Sequence, residues 1–399
     1  MEQETVVRVP LTKGEWRHTG LVAGVFAMRT FGLFLLLPVL ALHAAELPDA
    51  TPLLVGLAVG GYGLTQALLQ VPLGALSDRV GRKPVVAGGL VVFGLGGVVA
   101  ALAPGIAGIV LGRALQGAGA ISGALSASLA DHTRDEVRTR AMALLGATMG
   151  LSFIGAMVIA PPLAMLIGVR GLFWLSVVLA ALALLAVLIA LPGGRTGGNA
   201  VARSGWLAAL RDWRLMRLNL SVFLLHMVLT ATFVTLPGVL RDEVLLPVGQ
   251  HGPLYLGALV LSFAVVIPLV IASDGPRARP ELPMVAFGLL AAGQLWLGAG
   301  GGTWLAVLLA MTVFFAGFNY LEARLPALLT QTAPAELRGA ALGVFGATQF
   351  LGAFFGGALS GWIQGQWGAV SVFSAAACAG AVGALLLRQA RRPAPVPGG

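Results

Sequence analysis

The sequence predicts an all-α membrane protein, twelve transmembrane helices arranged as two pseudo-symmetric six-helix bundles. Three observations carry this. Hydrophobic residues fill 58% of the 399 positions and charged residues only 10%, where soluble domains average about 25% charged. Twelve apolar stretches are each long enough to cross about 30 Å of hydrocarbon. The second half of the chain also repeats the first at a nearly constant offset. With mean hydropathy at +0.91, a water-soluble fold would expose more apolar surface than solution tolerates.

Residues 1–18 are polar and mixed in charge and read as a tail. Span 1, 19–42, is too long for a signal-peptide core of about 7–15 residues, so it is expected to be retained. Spans 2 to 6 follow at 52–76, 84–103, 105–130, 139–167 and 170–191, with only Ala103-Pro104-Gly105 dividing spans 3 and 4. A linker at 193–212 carries Gly193-Gly194, Gly197-Gly198, Arg195, Arg203 and Arg211. Spans 7 to 12 run at 213–240, 252–273, 282–299, 303–329, 338–366 and 368–387, and 389–399 is a second tail. The domains are therefore an N-terminal bundle, 19–192, and a C-terminal bundle, 213–388.

The repeat shows most clearly around spans 5 and 11. Arg138, Gly146-Ala147-Thr148, Leu151, Gly168 and Phe173 recur 200 residues later as Arg338, Gly346-Ala347-Thr348, Leu351, Gly368 and Phe373. Near span 1, Phe34, Leu37 and Pro38 match Phe233, Leu236 and Pro237. Duplicated six-helix units are a transporter device, because two packed halves can rock about a central site.

Charge fixes the orientation. Of the 25 Lys and Arg, twenty fall on the side of both tails, only Arg170 and Arg241 on the other, and Arg29, Arg113 and Arg324 within spans. The positive-inside rule puts the twenty, and both termini, in the cytoplasm. The net charge of +9 suits anionic headgroups and not nucleic acid, since no basic run interleaved with aromatics occurs. Cys378 is the only cysteine, so no intramolecular disulfide can form. No H-E-x-x-H, G-x-S-x-G or P-loop pattern points to an enzyme, and no metal site or cofactor is expected.

Between spans 2 and 3 stands Gly74-Ala75-Leu76-Ser77-Asp78-Arg79-Val80-Gly81-Arg82-Lys83-Pro84. It resembles, almost position for position, the G-x-L-a-D-R-x-G-R-K signature of the major facilitator superfamily. The resemblance implies a cytoplasmic gating motif made of Gly74, Asp78, Arg79, Gly81, Arg82 and Asp131. Asp78 would face the N-terminus of span 11 near Arg338, where free backbone N–H groups favour an anion. Arg82 would pair with Asp131 at the end of span 4. In span 4, residues 111–119 (LGRALQGAG) resemble a second superfamily motif with an intramembrane arginine, Arg113. Span 5 departs from the Gly-Pro motif of proton-coupled drug exporters, since Gly146, Gly150 and Gly155 lead only to Ala160-Pro161-Pro162.

Over nearly the whole chain the sequence resembles the YajR-like transporters. This rests on residues 28–40 (MRTFGLFLLLPVL), 63–84 (GLTQALLQVPLGALSDRVGRKP), 112–120 (GRALQGAGA), 225–238 (LHMVLTATFVTLPG), 318–329 (FNYLEARLPALL) and 349–363 (QFLGAFFGGALSGWI). The namesake of that group adds a small soluble domain after span 12, which is not expected here. The resemblance implies a multi-pass inner-membrane protein that exports small amphipathic or metabolite solutes by alternating access, with the proton as coupling ion in an antiporter cycle. It is expected to act as a monomer, its partners being the substrate and the bilayer. A uniporter or symporter, or a transport-dead receptor on the same fold, are the other readings.

Glu322 is the only acid in any span. A charge at membrane depth costs about 2.5–3.5 kcal/mol on insertion scales, so it seeks a cavity or a partner. A buried carboxyl loads and releases protons near neutrality, and Pro326 leaves the carbonyl of Glu322 without its helical donor. The candidates for proton coupling or substrate binding are thus Glu322, His226, Arg29 and Arg113. His226 serves equally as an interhelical hydrogen-bond partner, and Arg113 is either a counter-ion for Glu322 or a partner for helix carbonyls. Tyr62, Gln66 and Gln70 form a stripe on span 2 and, with Asn319 and Gln349, either line a cavity or bond neighbouring helices.

Overall fold

The computed structural model describes residues 10–193, 208–273, 279–300 and 302–388. Residues 1–9, most of the 193–212 linker and the 389–399 tail lie outside the described residues. What is described is helical, with no strand. Eight helices are long and apolar enough to cross a membrane, and two of them are double. Asp135–Ala190 turns at Gly168 (φ 70°) and Arg338–Arg388 at Gly368 (φ 78°). Each thus supplies two spans, 5 with 6 and 11 with 12. Leu282–Gly298 and the more polar Lys13–Phe34 complete the set of twelve. The two reversals fall on glycines 200 positions apart because only a residue without Cβ enters that backbone region freely. The burial pattern along 151–190 recurs along 351–388, so the sequence repeat is a repeat of packing.

The helix that carries span 1 begins before the apolar stretch that starts at residue 19. It starts at Lys13, within the predicted tail, because Thr12 and Glu15 form a capping box. The hydroxyl of Thr12 accepts from the Glu15 N–H at 3.2 Å, and the Glu15 carboxylate accepts from the Thr12 N–H at 2.8 Å. The same carboxylate takes a two-pronged bond from Arg134, at 2.9 and 3.1 Å. That guanidinium holds the Glu15 carboxyl well below the usual carboxylate range. A side chain read as belonging to a tail therefore ties the start of span 1 to the loop between spans 4 and 5.

The helix ends define two faces, a basic face bearing the described ends of the chain and a far face opposite. On the far face the halves touch backbone to backbone. Gly56 and Gly60 of span 2 (Pro52–Val80) lie against Gly357 and Ala353 of span 11, with no room for a Cβ on either glycine of the first pair. Gly361 meets the carbonyl of Pro52, and Gly252 of span 8 (Val248–Ile271) meets that of Val158 in span 5. Arg241 reaches Glu46 of the other half at 3.1 Å. Toward the basic face these contacts run out. Among the glycines of spans 2 and 11, Gly346 is the one nearest the basic face whose Cβ would meet the other half, at the Gln70 amide, and a Cβ on Gly74, Gly339, Gly146 or Gly150 would have no neighbour within 4 Å. The halves are joined at the far face and parted at the basic face.

Gly357→Leu places four carbons where a carbonyl oxygen now lies, so the far face should be wedged apart. Spin labels on Pro104 and Glu243, one on each half, should report a longer far-face distance than in the parent protein. An unchanged distance would mean that the glycine contacts do not hold the halves together.

Candidate functional site

Two sites emerge, at different depths. At the basic face Gly81 ends span 2 at φ 100°, a conformation open to glycine, and span 3 (Arg82–Leu102) starts at once. This sharp turn folds Arg82 back under the loop, where it is 6% exposed. Its Nε donates to Asp131 Oδ2 at 3.0 Å, and its Nη1 donates to Ser77 Oγ at 2.6 Å and to Asp78. Arg79 is exposed and Gly74 faces open space. Asp78 departs from expectation. Its bond is to Arg82, and among the described residues no hydrogen bond or ion pair joins it to span 11. The physical reason is the parting of the halves, which leaves open space where a Cβ on Gly74 or Gly339 would stand.

At membrane depth the predicted residues separate into two groups. Arg29 and Arg113 are each 1% exposed inside the N-terminal half. Arg29 donates to Gln66 Oε1 at 2.7 Å and to the Gly119 carbonyl at 3.5 Å, and sits 5.5 Å from the Phe93 ring centroid. Arg113 donates to the carbonyls of Ala58 and Val59 at 3.2 and 3.3 Å and to Gln116 Oε1 at 2.9 Å, and lies 4.6 Å from the Tyr62 ring centroid. The carbonyls come from breaks in the helices. Span 2 is interrupted at Gly61, and span 4 (Ile106–Asp131) at residues 119–121. The freed carbonyls carry partial negative charge and suit a guanidinium in a dry interior. Arg113 is therefore a partner for carbonyls and not a counter-ion for Glu322. Tyr62 and Gln66 pack against these arginines, buried, and do not line an open cavity. The two breaks do not show in hydropathy, and their sequence signals are Gly60-Gly61 and Gly117-Ala118-Gly119-Ala120.

The second group belongs to the C-terminal half. Span 7 (Trp213–Asp242) supplies His226, span 10 (Trp304–Thr332) Glu322, and span 11 Gln349. His226 Nδ1 lies 3.2 Å from the carbonyl oxygen of Val222, one turn back. A carbonyl only accepts, so Nδ1 carries a proton. His226 Nε2 is then the variable atom, and it has two neighbours, Gln349 Nε2 at 2.8 Å and Glu322 Oε2 at 3.5 Å. In the neutral imidazole Nε2 accepts from the amide. In the imidazolium it becomes a donor, repelled by that N–H₂ group and attracted to the carboxylate.

Glu322 stands ten residues from the Thr332 end of its helix, about 15 Å at 1.5 Å per residue, yet its side chain is 37% exposed. Its carboxylate reaches His226 of span 7, and Phe318, one turn away on the same face, meets Phe153 of the other half, so this face of span 10 turns toward the gap between the halves. Asn319 turns away to donate to Ser262 Oγ of span 8 at 3.1 Å. Gln70 lies against Gly346 across the gap. Arg324 donates to the Ser273 carbonyl at 3.3 Å. On the far-face side of Glu322 a run of rings crosses between the halves. Phe34 meets Phe153 at 5.4 Å, Phe153 meets Phe318 at 6.2 Å, and Phe318 meets His226 at 5.8 Å.

Arg82 and Arg79 differ in what they hold, which gives a direct comparison. Arg82→Gln leaves two carboxylates without their shared donor and should cost about 1.5–3 kcal/mol, whereas Arg79→Gln removes an exposed charge. Thermal unfolding in detergent should show a clear loss for the first and little for the second. Equal effects would contradict the assigned cluster.

The sequence profile of the Major Facilitator Superfamily matches residues 22–321. The chain is 39% identical over 376 residues to the inner membrane transport protein YajR of Escherichia coli K12, covering 93% of this chain and 83% of that one. An uncharacterized transporter of Buchnera aphidicola from Baizongia pistaciae is 31% identical over 346 residues, 84% of this chain and 87% of that one. Among solved structures the nucleoside transporter NupG superposes with a TM-score of 0.74 at 15% identity, covering 94% of this chain and all of that one. The fold thus agrees with the sequence match, and the chain belongs to the Major Facilitator Superfamily, a twelve-helix membrane transporter and not an enzyme.

Proposed function

We propose that this transporter is a proton-coupled antiporter that exports small amphipathic or metabolite solutes by alternating access. The basic face is the cytoplasmic one, in line with the distribution of twenty bases against two, and the conformation described is then open to the cytoplasm. The observation that carries the reading is His226 Nε2, held between the Gln349 amide and the Glu322 carboxylate at 2.8 and 3.5 Å. One proton on that nitrogen exchanges a neutral partner for a charged one. How wet the gap is bears on which arrangement is favoured, because water stabilises the separated charges. Rocking the halves closes the gap at this depth and so changes proton affinity between states. In the same cycle Asp78 would meet the start of span 11 when the basic face closes, while its bond to Arg82 keeps the carboxylate positioned during opening.

Reconstituted into vesicles with an imposed pH gradient, the parent protein should drive solute uphill. Glu322→Gln should abolish that accumulation while sparing downhill exchange, and His226→Gln should shift its pH dependence. Accumulation at the parent rate in Glu322→Gln would remove the carboxylate from the coupling. Orientation is tested apart from flux. In intact cells a membrane-impermeant thiol reagent should reach a cysteine at Pro104 and not one at Arg82, and the reverse would overturn the assignment of faces.

A further inference from the structure

At the basic face two histidines share one acceptor. His18 stands in the second turn of the helix Lys13–Phe34, and His132 caps the end of span 4. Their rings stack with centroids 4.1 Å apart and planes 20° apart. His18 Nε2 lies 3.1 Å from the Ser128 carbonyl oxygen and 3.2 Å from Ser128 Oγ, and His132 Nδ1 lies 2.9 Å from the same carbonyl. That carbonyl belongs to the last turn of a helix, where the backbone leaves oxygens without helical donors. A carbonyl only accepts, so both of these nitrogens carry protons. The proton that makes either ring an imidazolium must therefore go to the other nitrogen, His18 Nδ1 or His132 Nε2. The charged groups around the pair are engaged or exposed. Asp131, beside His132, is held by Arg82 at 3.0 Å, and Glu15, on the helix of His18, by Arg134 at 2.9 Å. Asp135, at the start of span 5, pairs with Arg138 at 2.6 Å, and Lys83 bonds the Leu188 carbonyl of span 6 at 2.7 Å. Lys13, Arg17 and Glu136 are exposed.

We propose that His18 and His132 form an acid sensor at the basic face: a second proton on the pair parts the rings, frees the His18 side of span 1 from the end of span 4, and offers Asp131 a cation that competes with Arg82. One positive charge is favoured there, by the helix C-terminus and by Asp131. Two at this separation repel, so the stacked pair holds one at most. Burial first, and then the neighbouring imidazole, keep His18 below the ordinary histidine range, with the Ser128 carbonyl and Asp131 opposing. Docking thus lowers proton affinity, and proton binding in turn disfavours docking. The contact is whole above the ordinary histidine range and is lost as pH falls below it. Asp131 and Asp78 together position Arg82, so acid at this face loosens the cluster beside the opening between the halves. With the basic face in the cytoplasm, a carrier driven by inward protons would be slowed by the acid it delivers. That last consequence rests on the antiport reading above, and the sensor itself does not.

The test uses the full chain in lipid nanodiscs, with isotope-labelled histidines read by NMR and spin labels at Trp16 and Thr139, exposed uncharged positions on the two sides of the contact. Between about pH 8 and about pH 5 the label distance should lengthen as the pair takes its second proton. His132→Phe keeps a ring in the stack and removes its charge. It should raise the proton affinity of His18 by about tenfold and hold the label distance at its high-pH value throughout. His18→Phe, the reciprocal change, should also hold that distance. Glu322→Gln should open at the basic face as the parent does, which separates the sensor from the pair at membrane depth. A parent distance indifferent to pH, a His18 midpoint unmoved in His132→Phe, or a pH response retained in His132→Phe and His18→Phe would each overturn the inference. If Glu322→Gln abolishes pH-driven accumulation while the parent distance ignores pH, the sensor is wrong and the coupling reading survives.

Discussion

A charge inside a membrane must be answered, and the structure is organised by how each one is. Insertion scales put the cost of an unanswered charge at about 2.5–3.5 kcal/mol, a large share of a domain's whole stability of about 5–15 kcal/mol. Arg29 and Arg113 are answered by backbone, through carbonyls released where spans 2 and 4 break at glycines. Glu322 is answered in two ways at once, by an imidazole at 3.5 Å and by exposure to the gap. The first kind of answer is fixed in the fold. The second changes whenever the gap changes, and this distinguishes a structural charge from one able to take part in a cycle.

The same contrast runs through the two faces. At the far face the halves are held by backbone against backbone, which requires residues without Cβ at Gly56, Gly357 and Gly361. At the basic face the charged cluster of Asp78, Arg82 and Asp131 stays within the N-terminal half, and the facing glycines have nothing over them. Van der Waals contact between backbones has a short reach, and ion pairs at a wet surface are individually weak. Neither face is locked by a large energy, and a rocking motion needs exchange only modest contacts.

Much of this was legible in the sequence, because the membrane imposes strict rules. Twelve apolar spans, the duplication and the Gly81 turn follow from hydrophobic length, repeated residues and backbone sterics. The reversals at Gly168 and Gly368 were marked in advance by their 200-residue spacing. Glu322 stood out by charge alone. What stayed hidden depended on three dimensions. Nothing local in His226 tells that its Nδ1 is committed to Val222 and its Nε2 shared, and nothing in Arg113 distinguishes a carbonyl partner from a carboxylate. Tyr62, Gln66 and Gln70 share one helical segment, but Tyr62 and Gln66 are packed against the buried arginines while Gln70, nearer the basic face, lies against Gly346 of the other half. The capping box at Thr12 and Glu15 is readable in the sequence, but hydropathy alone places the start of the span after it.

We propose that Glu322 and His226 hold one exchangeable proton whose affinity follows the conformation of the halves. Infrared difference spectroscopy across a pH titration reads the carboxylic acid C=O band of Glu322, identified by its loss in Glu322→Gln. It should be recorded on protein free to rock and on protein with its far face cross-linked shut between cysteines at Glu46 and Arg241. A titrating band is expected in both, with its midpoint moved by the cross-link and moved again by His226→Gln. A midpoint indifferent to the cross-link and to His226 would mean that the proton is not coupled to the conformation of the halves.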